Sequence, residues 1–283
     1  MNTAILLISC PDRKGITASV TNFVYDNGGN IEHADQHIDS QTNTFFMRIQ
    51  WSLEEFRISP SDIKDRFQPL AEKFYMDSNL YFDDHTPRVA IFTSKQDHCL
   101  YDLLLRHKEG QFKCSIPLVI SNHPNSAKTA ASFGIKFAQL EKTPANKSET
   151  EKKEVALLKN ENIELVILAR YMQVLTADFL NHFKNQIINI HHSFLPAFAG
   201  NNPYAQAYRR GVKIIGATSH YVTAELDQGP IIEQNTVRIS HRDSLADLQR
   251  KGKDLEKNVL SEAVRLHLER KILVYDNKTV IFD

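Results

Sequence analysis

Ile187-Ile188-Asn189-Ile190-His191-His192-Ser193-Phe194-Leu195-Pro196 opens the stretch, residues 186–234, around which the chain is organised. Ile187, Ile188 and Ile190 are β-branched and apolar, the pattern of a short strand buried in a parallel sheet. Asn189 is embedded in that run, and His191 and His192 stand at its C-terminal edge. Pro196 and Gly200 then force an irregular loop. The stretch closes on Leu226-Asp227-Gln228-Gly229-Pro230. An amide, an imidazole and a later carboxylate are the parts needed for proton transfer and oxyanion stabilisation. A lone polar residue at a strand end is often only a turn former, so the weight rests on the set, not on any member.

Outward from this stretch, residues 88–93, 116–120 and 165–169 read as apolar strands upstream of it. Between them, residues 97–107, 125–133, 149–160 and 177–183 read as helices. The Lys/Glu run of 149–160 is expected to form a solvated face. Downstream come a helix at 203–210, strands at 213–222 and 231–239, and a long amphipathic helix over 245–266 before a terminal hairpin. Strands alternating with helices predict an α/β, doubly wound, mostly parallel sheet. In such a sheet, ligands bind outside the carboxyl ends of the strands, where Asn189 and His191 stand.

The first part of the chain has a different rhythm. Strands at 4–10, 45–53 and 79–82 and a strand opened by Asn30 combine with helices marked by Ile16, Val20 and Val24 and by Ile63, Phe67 and Phe74. The order strand-helix-strand-strand-helix-strand is the ferredoxin-like arrangement of an α+β domain. The polar run at 83–87 is the hinge, giving domains 1–84 and 85–283.

Lys+Arg and Asp+Glu are both 34, so no basic field invites nucleic acid. No apolar run reaches the roughly 20 residues of a membrane span. The short apolar run at 4–10 lacks a basic flank and reads as a strand rather than a signal peptide. Cys10, Cys99 and Cys114 are odd in number and far apart, which points to a reducing, cytoplasmic setting. No Cys-x-x-Cys or His-Glu-x-x-His spacing occurs, so no metal is expected.

Asn189-x-His191 followed by Ser193-Phe194-Leu195-Pro196, then Gly216-Ala217-Thr218-Ser219-His220, then Asp227-x-Gly229 resembles the folate-dependent formyltransferase family. Residues 1–84, with the turn Pro11-Asp12-Arg13-Lys14-Gly15-Ile16, resemble an ACT domain. The first resemblance implies that Asn189 and His191 address the formyl oxygen, while Asp227 orients His191 and passes protons. It implies a folate site at Met172, Gln173, Val174 and Leu175, closed by Ala224 and Glu225, with Lys147 as a basic contact for the glutamate tail. For Leu175, ordinary core packing is the simpler reading. His192 stands where the family usually carries Pro, and it is expected to be solvated or to stand behind the reacting groups; His220 is expected to stand behind them. Gln173 replaces a family Arg.

Residues 93–100 contain no glycine, whereas the family's glycinamide ribonucleotide transformylases cradle a substrate phosphate there on a Gly-rich loop. No tRNA-gripping C-terminal extension is expected either. Formyl machinery without an acceptor site implies water as the acceptor. The expected reaction is hydrolysis of 10-formyltetrahydrofolate to tetrahydrofolate and formate, supplying formate for purine synthesis and balancing one-carbon pools, with no tightly bound cofactor. Formyl transfer to a small amine and a non-catalytic folate or amino-acid sensor are the alternatives. The ACT resemblance implies a homo-oligomer, dimer or tetramer, and an amino-acid effector such as glycine or methionine near Asp12, Arg13, Gly15 and Asn30. A plain assembly module is the equal alternative.

Overall fold

The computed structural model describes residues 2–197 and 203–282; Gly200 lies outside the described residues. Two compact units form. The first runs to Thr86 and takes in Glu269–Tyr275 and the residues from Val280; the second is Pro87–Leu268 with Asp276–Thr279.

In the first unit, β1 (Thr3–Pro11), α1 (Ile16–Asp26), β2 (Asn30–Asp39), β3 (Thr44–Ser52), α2 (Ile63–Phe74) and β4 (Asp77–Phe82) follow in order. The sheet order is β2-β3-β1-β4, with β1 antiparallel to β3 and β4, and β2 antiparallel to β3. Side chains alternate across a strand, so Leu6, Ile8, Met47, Ile49 and Trp51 share one face. That face packs on Ile16, Val20 and Val24 of α1 and Ile63, Phe67 and Phe74 of α2. Gly15, at φ 92, turns the chain into α1.

The second unit holds β5 (Arg88–Thr93), α3 (His98–Lys108), β6 (Ser115–Ser121), α4 (Ala127–Ser132), β7 (Lys136–Gln139), α5 (Lys147–Asn160) and β8 (Leu165–Ala169). It continues through α6 (Ala177–Asn181), β9 (Ile187–His191), α7 (Pro203–Arg210), β10 (Ile214–Tyr221), β11 (Ile231–Arg238) and α8 (Leu245–Leu268). Its sheet runs β11-β10-β9-β8-β5-β6-β7. From β9 to β7 all neighbours are parallel, and β10 is antiparallel to both β9 and β11. The strand order reverses direction between β5 and β8, the switch point at which such sheets open a crevice. The short edge strand β7 has too few residues for its alternation to show in the sequence.

Two expectations are corrected here. The chain's end, β12 (Ile272–Tyr275) and β13 (Lys278–Ile281), does not simply extend the second domain. Val280 and Phe282, with Leu273 and Tyr275, pack on Leu7 and Phe46, which project from the sheet face opposite the helices. A sheet with apolar side chains on both faces needs a cover on each, and the helices cover only one. The buried Arg48 adds hydrogen bonds from this same face, donating to the carbonyls of Arg270 (3.0 Å) and Glu269 (3.3 Å).

The Lys/Glu run of α5 is likewise not wholly solvated: Glu151 and Glu154 are buried. Lys142, itself buried, reaches Glu154 at 2.8 Å and Glu151 at 3.5 Å. The Tyr171 hydroxyl donates to Glu154 at 3.0 Å, and the Thr176 hydroxyl donates to Glu151. Burial keeps the Glu154 carboxyl above its ordinary range, with the hydrogen bond and charge of Lys142 pulling the other way. The partners come from two segments outside the helix, so composition along the helix could not reveal them.

Candidate active site

Asn189 and His191 are two apart on β9 and therefore face the same side of the sheet. His220 lies directly across from Asn189 in the β9–β10 pairing, and the Asn189 amide nitrogen is 3.2 Å from His220 Nε2. The other His220 nitrogen, Nδ1, is 2.9 Å from the Tyr221 carbonyl. A carbonyl only accepts, so Nδ1 carries the proton and Nε2 is left to accept from the amide. One Asn189 N–H is thereby engaged, and the second is available to a ligand.

Asp227 sits in the loop between β10 and β11 with φ 56, a conformation sparsely used by residues other than glycine. Gly229 lets this loop close: a Cβ there would lie 1.8 Å from the Tyr221 carbonyl oxygen. The Asp227 carboxylate meets His191 Nδ1 at 3.2 Å and His220 Nε2 at 3.6 Å. Burial opposes its ionisation, but the hydrogen bond from His191 Nδ1 and the neighbouring His220 outweigh burial and hold the carboxyl well below the usual range. An ionised Asp227 is an acceptor and fixes the His191 proton on Nδ1. His191 Nε2 is buried and has no hydrogen-bond partner among the described residues.

Beside this pair lies a cavity of about 200 Å³. Asn189, His191, His192, His220, Ala224 and Asp227 line it, as do all four residues of the 172–175 segment. Met172 and Val174 are more than half exposed, which suits a flat apolar ligand, while Leu175 is buried and belongs to the core as well. Of the two readings of His192, the structure favours a place behind the reacting groups over a solvated one. His192 is buried, its ring 5.3 Å from that of His191 and 5.8 Å from that of Tyr204. Burial, and then the positive Arg170, pull its pKa down to about 3, so it stays a neutral imidazole.

Two folate candidates are not brought to the cavity. Lys147 opens α5 and is not among the lining residues. Glu225 is exposed, and its carbonyl accepts from the Thr223 hydroxyl and the Gln228 amide, closing the turn that presents Asp227. In the first unit, Asp12, Arg13 and Gly15 lie at one end of β3 and Asn30 at the other, since Pro11 pairs with Thr44 and Asn30 with Ser52. Eight residues of strand span roughly 26 Å, too far for one small ligand within one chain. The Asp12 N–H is already given to the Asn43 carbonyl at 2.8 Å, and the Arg13 guanidinium lies over the Tyr75 ring.

The cavity wall also includes Arg170, a residue the motifs did not signal. It immediately follows the fully buried β8, and a charged residue at the carboxyl end of a central strand was the available clue. Arg170 Nε is 3.4 Å from Glu256 of α8. Glu256 also accepts from His98 Nε2 (2.8 Å) and the Tyr204 hydroxyl (2.6 Å). Gly252, one turn earlier on α8, leaves room for the Tyr204 ring, which would lie 2.2 Å from a Cβ there. His98, Cys99 and Glu256 cluster within 4.8 Å, but the guanidinium already answers the carboxylate, and burial pushes the Cys99 thiol well up.

Known proteins resemble this chain in sequence and fold. The formyl transferase family matches residues 87–264, and the ACT domain family matches residues 4–72. A formyltetrahydrofolate deformylase of Synechocystis is 55% identical over 280 residues, covering 99% of this chain and 98% of its own. One of Bacillus subtilis is 44% identical over 279 residues, covering 98% and 93%. The crystal structure of a formyltetrahydrofolate deformylase from Pseudomonas syringae superposes with a TM-score of 0.97 at 43% identity, covering 100% of this chain and 95% of that one. With both domains matched and similarity running nearly end to end, the chain belongs to the formyltetrahydrofolate deformylase family, an ACT domain joined to a formyl transferase domain.

Proposed function

We propose that the chain hydrolyses 10-formyltetrahydrofolate to tetrahydrofolate and formate, with Asn189, His191 and Asp227 as the reacting set. The observation that carries this reading is the His191–Asp227 pair, which leaves Nε2 unpartnered on a residue that lines the cavity. A water oxygen adds to the formyl carbon while His191 Nε2 takes one of its protons. Asp227 stabilises the imidazolium that results. The carbonyl oxygen becomes an oxyanion, faced by the free Asn189 N–H and by the new Nε2–H. As the bond from carbon to N10 breaks, His191 returns its proton to N10. The second water proton leaves as formic acid ionises.

Water as acceptor is supported by the segment after β5. The Ser94 hydroxyl donates to Asn122 at 2.7 Å, and His98 opens α3 with its ring on Glu256. Side chains stand where a glycine cradle would offer bare N–H groups to a phosphate. The test supplies purified protein with 10-formyltetrahydrofolate and no amine. Formate is expected in step with tetrahydrofolate, and adding glycinamide ribonucleotide yields no formylated nucleotide by mass spectrometry. Formate or folate release that begins only when an amine is added overturns hydrolysis in favour of transfer.

The free Cys10, Cys99 and Cys114 support a reducing cytoplasmic setting, where the reaction would feed formate to purine synthesis and balance the one-carbon pool. Among the described residues no helix is long and apolar enough to cross a membrane. The ACT unit is read as pairing between copies, which would bring Asp12 and Gly15 of one copy near Asn30 of another and complete an amino-acid site. Titrating activity with glycine and with methionine checks this. A response to neither leaves the unit an assembly module.

A further inference from the structure

Arg170 is more than nine-tenths buried, lines the cavity, and has no hydrogen-bond partner for Nε or Nη1 among the described residues. Its ion pair with Glu256 reaches only 3.4 Å, without hydrogen-bond geometry. Glu256 is occupied elsewhere, by the shorter bonds from Tyr204 and His98. Glu256 therefore holds the guanidinium in place without using up its donors. Leaving donors of a charged group unmade in a buried site is costly, and such groups in native folds generally await an ion, a water or a ligand. Its backbone adds to the cost, since Arg170 holds φ 61.

The charge of the cavity's products tells what the group could take. Transfer of a formyl group to an amine makes a neutral amide, whereas hydrolysis creates a carboxylate inside the cavity. We propose that Arg170, clamped by Glu256, is a carboxylate subsite that receives the formate formed at His191. The inference rests on the hydrolytic reading above. A guanidinium is a planar fork matched to two carboxylate oxygens, and it pairs more strongly with an anion than with the neutral amide before reaction. Its interaction thus grows as the formyl group becomes formate, the direction that favours turnover. His192, buried and neutral beside His191 and Tyr204, adds no competing charge.

The test is a titration of the full chain with ¹³C-formate and no folate, followed on the formate signal and on the His191 ring resonances. Wild type is expected to bind formate. Arg170→Met should bind about tenfold or more weakly, the loss of a charge-assisted bond, and Arg170→Lys should fall between. Thermal melts report whether each variant folds; if Arg170→Met does not, the wild type and Arg170→Lys decide. No perturbation of His191 by formate in the wild type overturns the proposal, as does displacement by chloride at equal concentration. An Arg170→Met enzyme with a raised KM for folate but unchanged formate binding also overturns it, because Arg170 would then read a folate carboxylate. Formate binding that depends on Arg170 in a chain that does not hydrolyse 10-formyltetrahydrofolate would instead sink the hydrolytic reading alone.

Discussion

Arg170 and Tyr171 are neighbours in the chain and enter buried polar clusters of opposite kinds. Tyr171 joins Lys142, Glu151, Glu154 and Thr176, where each side chain meets a partner. Arg170 joins Glu256, His98 and Tyr204, beside His191, Asp227, His220 and Asn189, and there Arg170 Nε, Arg170 Nη1 and His191 Nε2 are left over. A satisfied network rigidifies a fold, whereas an incomplete one in a low dielectric is sustained only where something else completes it. Thr3, Trp51, Thr93 and Ser126 also carry buried atoms without partners, but these groups are neutral and do not line the cavity. Charge or basicity at a cavity wall, added to a missing partner, is what separates site from scaffold here.

The largest expected effect lies in the incomplete cluster. Asp227→Asn or His191→Ala should lower formate release by about 10²–10⁴, while the melting midpoint changes little. Near wild-type turnover in both variants would erase the distinction between the clusters, because the unpartnered nitrogen would then have no chemical task.

In the satisfied cluster, Lys142→Met should do the reverse. Two buried glutamates lose their cation, and the fold should lose about 3 kcal/mol, while each folded molecule turns over as before. The deficit should vary with pH. The Glu154 carboxyl already stands above its ordinary 4.5, with burial as the first cause, and without Lys142 it binds a proton more readily. A raised folded value favours the fold below 4.5 and is lost as pH rises through that folded value. The variant should therefore lag least in acid and most near neutrality, as read by denaturant titration at several pH values.

A further effect falls inside the incomplete cluster, at His192, beside His191 and Tyr204. Its folded value of about 3 lies below the ordinary 6.5, so the unfolded chain takes up a proton first as pH falls. The contribution is complete above 6.5 and is lost progressively as pH falls towards 3. Melting midpoints of the wild type should drop across that window more steeply than those of His192→Asn. Equal slopes would mean that the ring titrates freely and is not held neutral under the cavity.

How much of the molecule was legible in its sequence depended on how local the signal was. The apolar run Ile187-Ile188-x-Ile190 announced a strand, and Asn189, His191 and Asp227 could be named from three short motifs. The structure joins Asn189 and His191, on one strand, to Asp227 on a loop, with His220 across from Asn189 completing the set. Lys147 and Glu225 were named through the family resemblance, and neither lines the cavity. Short motifs specify the backbone path near a ligand better than they specify which side chain faces it.

The sequence by itself determined the order of most strands and helices and the two-part organisation, and through the family resemblance it named a candidate amide, imidazole and carboxylate. The elements and the two parts are written in periodicity, where local sterics and the apolar pattern suffice. Only the tertiary structure decided that Glu151 and Glu154 point inward, that the last strand covers the Leu7 and Phe46 face, that Asn30 stands far from Asp12, and that Glu256 holds Arg170. These are meetings of polar and apolar groups from distant segments. Periodicity reports which face of an element avoids water, but which charge answers which is settled only when folding removes the solvent between them.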